Sequence, residues 1–298
     1  ELADREAIRD LMDRGEVGAV LRINRGFEHD LRAGRAAQLQ VIVDGTDSNT
    51  AGIVLNYSSK IAGQFSNKVL VERLTRGTGR SVDTSRVKLE TRAWFNENLE
   101  SRNFYVPGVI AIIVMLITLM LTSMAVVREK EIGTMEQIMV TPITSVEFIL
   151  GKTVPFALIG FADVVLITVL GVFWFDVPIR GSLLLLFVAT ALYLLTTLAI
   201  GLFISTVSQT QQQAMMSTFF FYFPAVLLSG FMFPIANMPV VVQWLTYLNP
   251  LRYFLVIVRG VFLKGVGPDV LWPQMIALAV MGRVALWLAA KRFRKTLA

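Results

Sequence analysis

Charged and apolar residues are segregated along this 298-residue chain. The first 105 residues carry 31 of the 50 charged side chains, in nearly equal numbers of basic and acidic groups, and the rest of the chain carries only 19. A soluble globular protein has charge at about a quarter of its positions throughout, and neither a disordered chain nor a disulfide-rich secreted domain shows this division. The distribution therefore predicts a membrane protein with one water-soluble domain at its N-terminal end.

Five apolar segments are long enough to cross the hydrocarbon core of a bilayer, which takes about 20 helical residues. They cover approximately residues 106–127, 153–175, 182–207, 214–233 and 270–290. A sixth apolar stretch, 234–263, is interrupted by Pro234, Pro239 and Pro250. Because a broken backbone is not tolerated in contact with lipid, this stretch is predicted to form paired half-helices in a re-entrant segment.

Basic residues in short loops predict the orientation of the spans. The 128–152 connection holds Arg128, Lys130 and Lys152, and the tail after residue 290 holds four Lys or Arg side chains, which places both in the cytoplasm. Residues 1–105, the 176–181 loop and the re-entrant segment then lie outside, although Arg252 and Arg259 in that segment run against the rule.

The exported region, residues 1–100, is predicted to form a compact α+β domain. The expected elements are helices over 4–14 and from 47 or 48 to 75, and strands over 17–23, 39–44 and 86–94. Asp44 and Asp47 are interpreted as a turn residue and a helix cap rather than as metal ligands. Since Glu1–Leu11 has no apolar run of signal length, we expect a longer natural chain with a sixth, upstream span and both ends in the cytoplasm.

Several kinds of site are not expected. The chain has no Cys and a single His, His29, so neither thiolate chemistry nor a metal site is predicted. No basic stripe interleaved with aromatic residues is present, so nucleic acid is not an expected partner.

The connection between the first two spans, residues 128–151, combines an apolar stripe at three- and four-residue steps with polar residues elsewhere. Pro142 interrupts this pattern, and Thr144-x-x-Glu147 is a capping box that starts a second helix. The pattern therefore predicts an amphipathic helix on the inner membrane face, followed by a turn facing the cytosol. Such an element can transmit movement from a soluble partner into the spans. An inert interfacial helix is the alternative.

Two blocks of sequence resemble the ABC-2 type transporter permeases, the membrane subunits of type V-like ABC exporters. The first block comprises REKEIGTMEQIMVTPIT, residues 128–144, followed by LGK at 150–152. The second comprises FPIANMP from Phe233, NPLRYF from Asn249 and RGVFL from Arg259. The resemblance covers about residues 100–298, and the exported domain is similar to that of bacterial inner-membrane permeases linked to multidrug efflux.

The resemblance implies a polytopic, mainly α-helical permease domain, residues 101–298, behind a periplasmic domain, residues 1–100. It implies residues of the re-entrant outer segment, which are Pro234, Pro239, Asn249, Pro250, Arg252 and Arg259. The implied activity is ATP-driven export of an amphiphilic or drug-like solute across the inner membrane. The implied partners are a cytosolic ATPase, a second permease copy or paralogue, membrane lipids and, as a further candidate, a periplasmic adaptor.

The chain itself has no nucleotide site, although Gly151-Lys152-Thr153 imitates the end of a P-loop. Val146 stands where that motif needs glycine, and an apolar span begins at Thr153. We therefore expect no enzyme activity and no cofactor in this chain, with ATP and Mg on the partner. The expected ATPase contacts are Glu129, Glu131, Thr134, Glu136, Thr141, Pro142, Ile143, Thr144 and Ser145. Replacing Glu131 and Glu136 with Lys is expected to uncouple ATP hydrolysis from transport.

Two charges lie within the spans, Asp163 and Arg283, each at a depth of roughly 12–17 Å. They either pair or face an aqueous path, or else Arg283 snorkels and Asp163 is neutral or bonded to a hydroxyl. Two other functions remain open: export of lipids or lipid-linked glycans by the same architecture, and a non-transporting anchor or sensor with a periplasmic binding domain.

Overall fold

The computed structural model describes residues 5–33, 35–76, 88–96, 99–134, 141 and 144–296. Over these residues the protein is mainly helical, and the chain divides into two compact units, Glu1–Phe104 and Tyr105–Ala298. In this described part, four helices are long and apolar enough to cross a membrane. A bent helix pair raises the number to five if it is counted as one span.

The first unit contains helices and a small mixed sheet. Its elements are α1 (Arg5–Asp13), β1 (Ala19–Ile23), α2 (Phe27–Arg32), β2 (Gln38–Asp44), α3 (Ser48–Arg76) and β3 (Lys88–Trp94). The strand order is β1-β2-β3, with β1 antiparallel and β3 parallel to β2. Each expected helix and strand overlaps one of these elements. The short helix α2 was not expected, because six polar-rich residues carry no apolar periodicity.

The two carboxylates that follow β2 serve the backbone. Asp44 Oδ1 accepts the Thr46 amide at 2.9 Å, and Asp47 Oδ1 accepts the Thr50 amide at 3.2 Å. Asp44 therefore makes the predicted Asx-type turn, and Asp47 caps the start of α3.

In the second unit, the described residues form seven α-helices. They are α4 (Ser101–Ile132), α5 (Ser145–Phe173), α6 (Leu183–Val207), α7 (Gln211–Leu227), α8 (Val240–Thr246), α9 (Pro250–Arg259) and α10 (Pro268–Thr296). Helices α4 and α6 bury more than half of their most apolar stretch inside the protein, whereas α5 and α10 bury less than a quarter. The unit is therefore organised around α4 and α6, and α5 and α10 present apolar faces outward.

The expected fourth span, 214–233, is wrong in its extent. Helix α7 ends at Leu227, because Gly230 adopts a φ of +82° and the Ser229 hydroxyl accepts the Phe231 amide at 3.1 Å. Its 17 residues span about 25 Å, less than the roughly 30 Å of a hydrocarbon core. Helix α7 is accordingly absent from the four membrane-crossing candidates of the described chain.

The proline-interrupted stretch forms the expected pair of short helices. Helix α8 and the continuous helix made by α9 and the π-helical turn Gly260–Lys264 are bent by 79° at their junction. The Gly181 amide donates to the Val261 carbonyl at 2.8 Å, and the Arg180 amide donates to the Phe262 carbonyl at 3.1 Å. The α5–α6 loop is therefore bonded to the π-helical turn. We call the region made of this loop, helices α8 and α9 and the π-helical turn the hairpin end.

Helix α6 is joined to its neighbours through hydroxyl groups. Tyr193 donates to the Ala111 carbonyl of α4 at 3.1 Å, Thr118 of α4 and Thr197 share a hydrogen bond at 3.1 Å, and Thr196 donates to the Leu278 carbonyl of α10 at 3.0 Å. Small residues allow this close approach, as is common between helices in membranes. A Cβ added at Gly201 would lie 2.8 Å from Thr122 Cβ.

Three hydroxyl groups of α6 therefore serve helix packing. Thr196, Thr197 and Ser205 all bond to another helix. Thr190 differs, because its buried Oγ1 has no hydrogen-bond partner in the structure.

Candidate functional site

The expected ATPase-coupling residues lie in the last turn of α4, in the connection after it and at the start of α5. Three of them, Glu136, Pro142 and Ile143, lie outside the described residues. Ser145 begins α5, but its side chain also lies outside the described part. The structure describes the remaining five expected residues, together with side chains from α5, α6 and α7 that surround them.

Glu129 faces inward rather than toward solvent. Its Oε1 lies 2.5 Å from Lys152 Nζ of α5, and its Oε2 accepts a hydrogen bond from the Thr134 hydroxyl. The Glu129 side chain is only 18% exposed, against 35% for Lys152. Glu129 and Thr134, both expected to contact the ATPase, are therefore bonded within the chain.

The next two residues contact two other helices. Lys130 Nζ donates to the Thr206 carbonyl, near the end of α6, at 3.0 Å. Glu131 Oε2 accepts the amide of Gln211, the first residue of α7, at 2.9 Å. Glu129, Lys130 and Glu131 thus reach three different helices, and we call them the junction triplet.

A backbone contact supports the same junction one turn earlier on α4. Ser205 Oγ of α6 accepts the amides of Val126 and Val127, each at 3.0 Å. Ser205 is fully buried. The C-terminal parts of α4 and α6 are therefore bonded through both main chain and side chains.

The predicted capping box is confirmed at the start of α5. The Thr144 hydroxyl accepts the Glu147 amide at 3.3 Å, and Glu147 Oε2 accepts the Thr144 amide at 2.8 Å. Thr141 and Thr144 are both exposed. Gly151-Lys152-Thr153, the fragment that imitates a P-loop, lies inside α5 rather than in a loop. A continuous helix has no free amides there to cradle a phosphate.

The prolines expected in the re-entrant segment all stand at helix starts. Pro234 precedes a short 3₁₀ turn, Pro239 precedes α8, and Pro250 is the first residue of α9. Proline is favoured at such positions because its missing amide would have no helical partner there. Arg259 is the last residue of α9 and is half-buried.

Asn249 and Arg252 fix the second half of this segment. Asn249 Oδ1 accepts the Leu251 amide at 3.1 Å, and its Nδ2 donates to the Ala225 carbonyl of α7 at 2.6 Å. The Arg252 guanidinium lies 4.0 Å from the centroid of the Tyr247 ring, an arrangement that favours the cation. Asn249 therefore bonds the start of α9 to α7, and Arg252 holds α9 against Tyr247 at the end of α8.

The two intramembrane charges do not pair with each other. Asp163 of α5 is half-buried and its Oδ2 has no hydrogen-bond partner, whereas Arg283 of α10 is exposed. No ion pair joins them in the structure. Among the described residues, no group of three or more His, Asp or Glu side chains forms a candidate metal site.

Sequence reasoning missed Lys130, Lys152, Ser205 and Gln211 as members of the junction. Lys130 and Lys152 stand in the block that resembles the permease signature, so that block could have indicated them. Ser205 and Gln211 carry no such signal, since they lie about 80 positions from their partners on α4.

Comparison with known proteins assigns the chain to a family. Residues 1–291 match the ABC-2 family transporter proteins. YbhR of Escherichia coli K12, named a probable multidrug ABC transporter permease, is 34% identical over 94% of this chain and 75% of its own length. YbhS of the same strain, which has the same description, is 36% identical over 97% and 76%. YhhJ, an inner membrane transport permease, is 32% identical over 96% and 75%.

These matches extend over both compact units and agree with the four or five membrane-crossing helices of the described chain. The chain is accordingly a multipass membrane protein, and it belongs to the ABC-2 family of transporter proteins.

Proposed function

We propose that this chain is the membrane subunit of an ATP-driven exporter that moves an amphiphilic or drug-like solute out across the bacterial inner membrane. ATP is hydrolysed by a separate cytosolic ATPase. The descriptions of YbhR and YbhS as multidrug ABC transporter permeases support this solute class. The location of Gly151–Thr153 inside α5 supports the separation of the ATPase from this chain.

One observation carries the proposal: the connection between α4 and α5 is anchored at both ends. Glu129 and Lys152 bond the end of α4 to the start of α5, and the Thr144–Glu147 capping box fixes where α5 begins. A push on the residues between them is therefore delivered to two long apolar helices. Thr141 and Thr144 are exposed in this region and form the described part of the docking surface that we propose for the ATPase.

The functional unit in this proposal is a dimer, either of two copies or of this chain with a paralogue. The outward apolar faces of α5 and α10 support a second permease chain or lipid beside them. The first unit lies in the periplasm, where an adaptor protein would meet it. The re-entrant pair α8 and α9 lies in the outer leaflet.

The test is reconstitution of the full chain with a candidate cytosolic ABC ATPase from the same organism. Proteoliposomes are loaded with ATP on the ATPase side, and movement of ethidium, a cationic amphiphilic dye, is followed by fluorescence. The proposal expects co-purification of the ATPase and ATP-dependent dye movement away from the ATPase side. Movement of a fluorescent lipid without dye movement would assign the chain to lipid export, and failure to bind any ATPase would favour the anchor or sensor.

The Glu131→Lys and Glu136→Lys double variant tests the coupling role of the 128–151 segment in the same assay. The proposal expects normal membrane insertion with loss of dye movement per ATP hydrolysed. Unchanged transport in this variant would contradict the assignment of the 128–151 segment to the ATPase.

A further inference from the structure

The last turn of α4 directs three successive charged side chains at three different helices. Glu129 pairs with Lys152 of α5, Lys130 donates to the Thr206 carbonyl of α6, and Glu131 accepts the Gln211 amide of α7. Successive residues on an α-helix point about 100° apart, so three consecutive side chains span about 200° of the helix circumference and reach neighbours on different sides. The junction triplet is therefore a single point of contact with all three neighbours.

Two of these contacts also match the polarity of the helix ends. Thr206 lies in the last turn of α6, where carbonyls have no helical partner, and Gln211 is the first residue of α7, where amides have none. A cation is stabilised at the former and an anion at the latter by the helix dipole. Lys130 and Glu131 supply these charges in the required order, one on each side of the α6–α7 turn.

The Ser205 contact indicates that α4 and α6 move together at this end. Because the Ser205 hydroxyl accepts two successive main-chain amides of α4, one helix end cannot shift without breaking both bonds or moving the other. The triplet extends the same linkage to α5 and α7. The four helix ends therefore have one shared set of polar bonds, centred on α4.

We propose that Glu129, Lys130 and Glu131 are positioning residues that transfer movement of the 128–151 segment to α5, α6 and α7 at the same time. This inference rests on the proposed function and deepens it, because it assigns to the triplet the coupling of ATP hydrolysis to transport. It differs from a role in ATPase binding, since the partners of all three side chains lie within this chain.

The test uses the full chain with its ATPase in proteoliposomes and measures dye moved per ATP hydrolysed, ATPase retention and the melting temperature. Glu129→Lys places two cations side by side, and we expect about a five- to tenfold loss of dye moved per ATP. Glu129→Lys with Lys152→Glu restores an ion pair of reversed polarity, and we expect it to recover at least half of the lost coupling. Lys291→Gln, at an exposed position of α10 outside the 128–151 segment, is the control and should match the wild type.

A second double variant tests whether the order of the charges at positions 130 and 131 matters, and not only their presence. Lys130→Glu with Glu131→Lys keeps the composition but places an anion at the end of α6 and a cation at the start of α7, both unfavourable. We expect a loss of coupling as large as for Glu129→Lys, with the ATPase still bound. Wild-type coupling in this double variant, or no recovery in the exchanged Glu129 and Lys152 pair, would overturn the inference. Loss of ATPase binding would overturn it too, because the residues would then belong to the docking surface.

A measurement that needs no transported solute keeps this inference distinct from the proposed function. The chain has no Cys, so spin labels can be placed uniquely at Leu150→Cys on α5 and Met216→Cys on α7, both exposed positions. We expect ATP binding to change the distance between the labels, and the Lys130 and Glu131 exchange to abolish that change. If this holds while the wild type moves no dye, the proposed function fails and the role of the triplet stands. A distance change that survives the exchange would overturn that role.

Discussion

The two ends of the helical unit are held together by different kinds of interaction. At the end that carries the junction triplet, the contacts are made by charged side chains such as Glu129 and Lys152, which remain partly exposed. At the hairpin end, Phe254, Val261 and Phe262 are completely buried, and the connection to the α5–α6 loop is made by main-chain hydrogen bonds.

The difference indicates which end can rearrange. Partly exposed charge pairs contribute little net free energy, about 0–1 kcal/mol each, and their long side chains follow small movements. Close packing tolerates no such shift without loss of contacts. We therefore expect the four helix ends at the triplet to move together during a transport cycle and the hairpin end to remain fixed.

The strongest test of this comparison is a pair of glycine substitutions. A Cβ at Gly181 would lie 2.8 Å from the Val261 carbonyl oxygen, whereas a Cβ at Gly151 of α5 would meet nothing within 4 Å. We expect Gly181→Val to destabilise the folded protein by about 1–3 kcal/mol, seen as a lower melting temperature in detergent. Gly151→Ala should be neutral or stabilising by up to about 1 kcal/mol. Equal melting temperatures would contradict a tightly packed hairpin end.

Substitutions of Asn249 test whether its cap on α9 and its bond to α7 both stabilise the hairpin end. Asn249→Ala removes both the cap on α9 and the bond to the Ala225 carbonyl. The expected cost is about 1 kcal/mol for the cap and about 0.6 kcal/mol or more for the bond between helices. Asn249→Ser keeps a capping oxygen and should lose only the second part. If the Ser and Ala variants unfold at the same temperature, the cap contributes nothing.

Tyr193 gives a smaller effect at the centre of the unit. Its ring stacks on Phe254 with centroids 4.0 Å apart, and its hydroxyl donates to the Ala111 carbonyl. Tyr193→Phe keeps the stack and removes the bond, so we expect a loss of about 0.6 kcal/mol. Tyr193→Leu is the matched variant that also removes the stack, and it should melt at a lower temperature than Tyr193→Phe. The opposite ranking would show that the ring stack does not stabilise the unit.

The smallest expected effect is a response to salt that distinguishes the two ends. Charges near water are screened as the Debye length falls from about 10 Å at 0.1 M to about 3 Å at 1 M salt. Hydrogen exchange of the Gln211 amide, which Glu131 accepts, should therefore accelerate about two- to threefold over this range. The Leu251 amide, held by the neutral Asn249 side chain, should not respond. Equal responses would show that the two ends are not held by different interactions.

Local features of the structure could be predicted from the sequence. The Thr144–Glu147 capping box and the helix starts at Pro239 and Pro250 depend on residues within a few positions of one another, and the long apolar runs place α4, α5, α6 and α10. The predicted fourth span, 214–233, extended past the end of α7 because the apolar residues continue beyond Leu227, whereas the backbone turns at Gly230.

The candidate site was predicted only in part, because its contacts depend on the fold. Glu129 and Glu131 were identified by their position in the 128–151 segment, but their charge was interpreted as a surface for another protein. In the structure both accept hydrogen bonds from residues of other helices. The partner of Glu131 is a main-chain amide that no side-chain pattern reveals. The predicted ATPase contact itself stays a prediction.

The π-helical turn at Gly260–Lys264 has a consequence for insertions and deletions in this family. The Gly265 amide bonds to the Gly260 carbonyl five residues earlier, so the turn holds one residue more than an α-helical turn. Deleting that residue would rotate helix α10 by about 100° relative to α9 and bring the two about 1.5 Å closer along the chain. Since only three residues separate the turn from α10, Gly282 would lose its alignment with Thr196. The protein should therefore tolerate substitutions between α9 and α10 far better than insertions or deletions there.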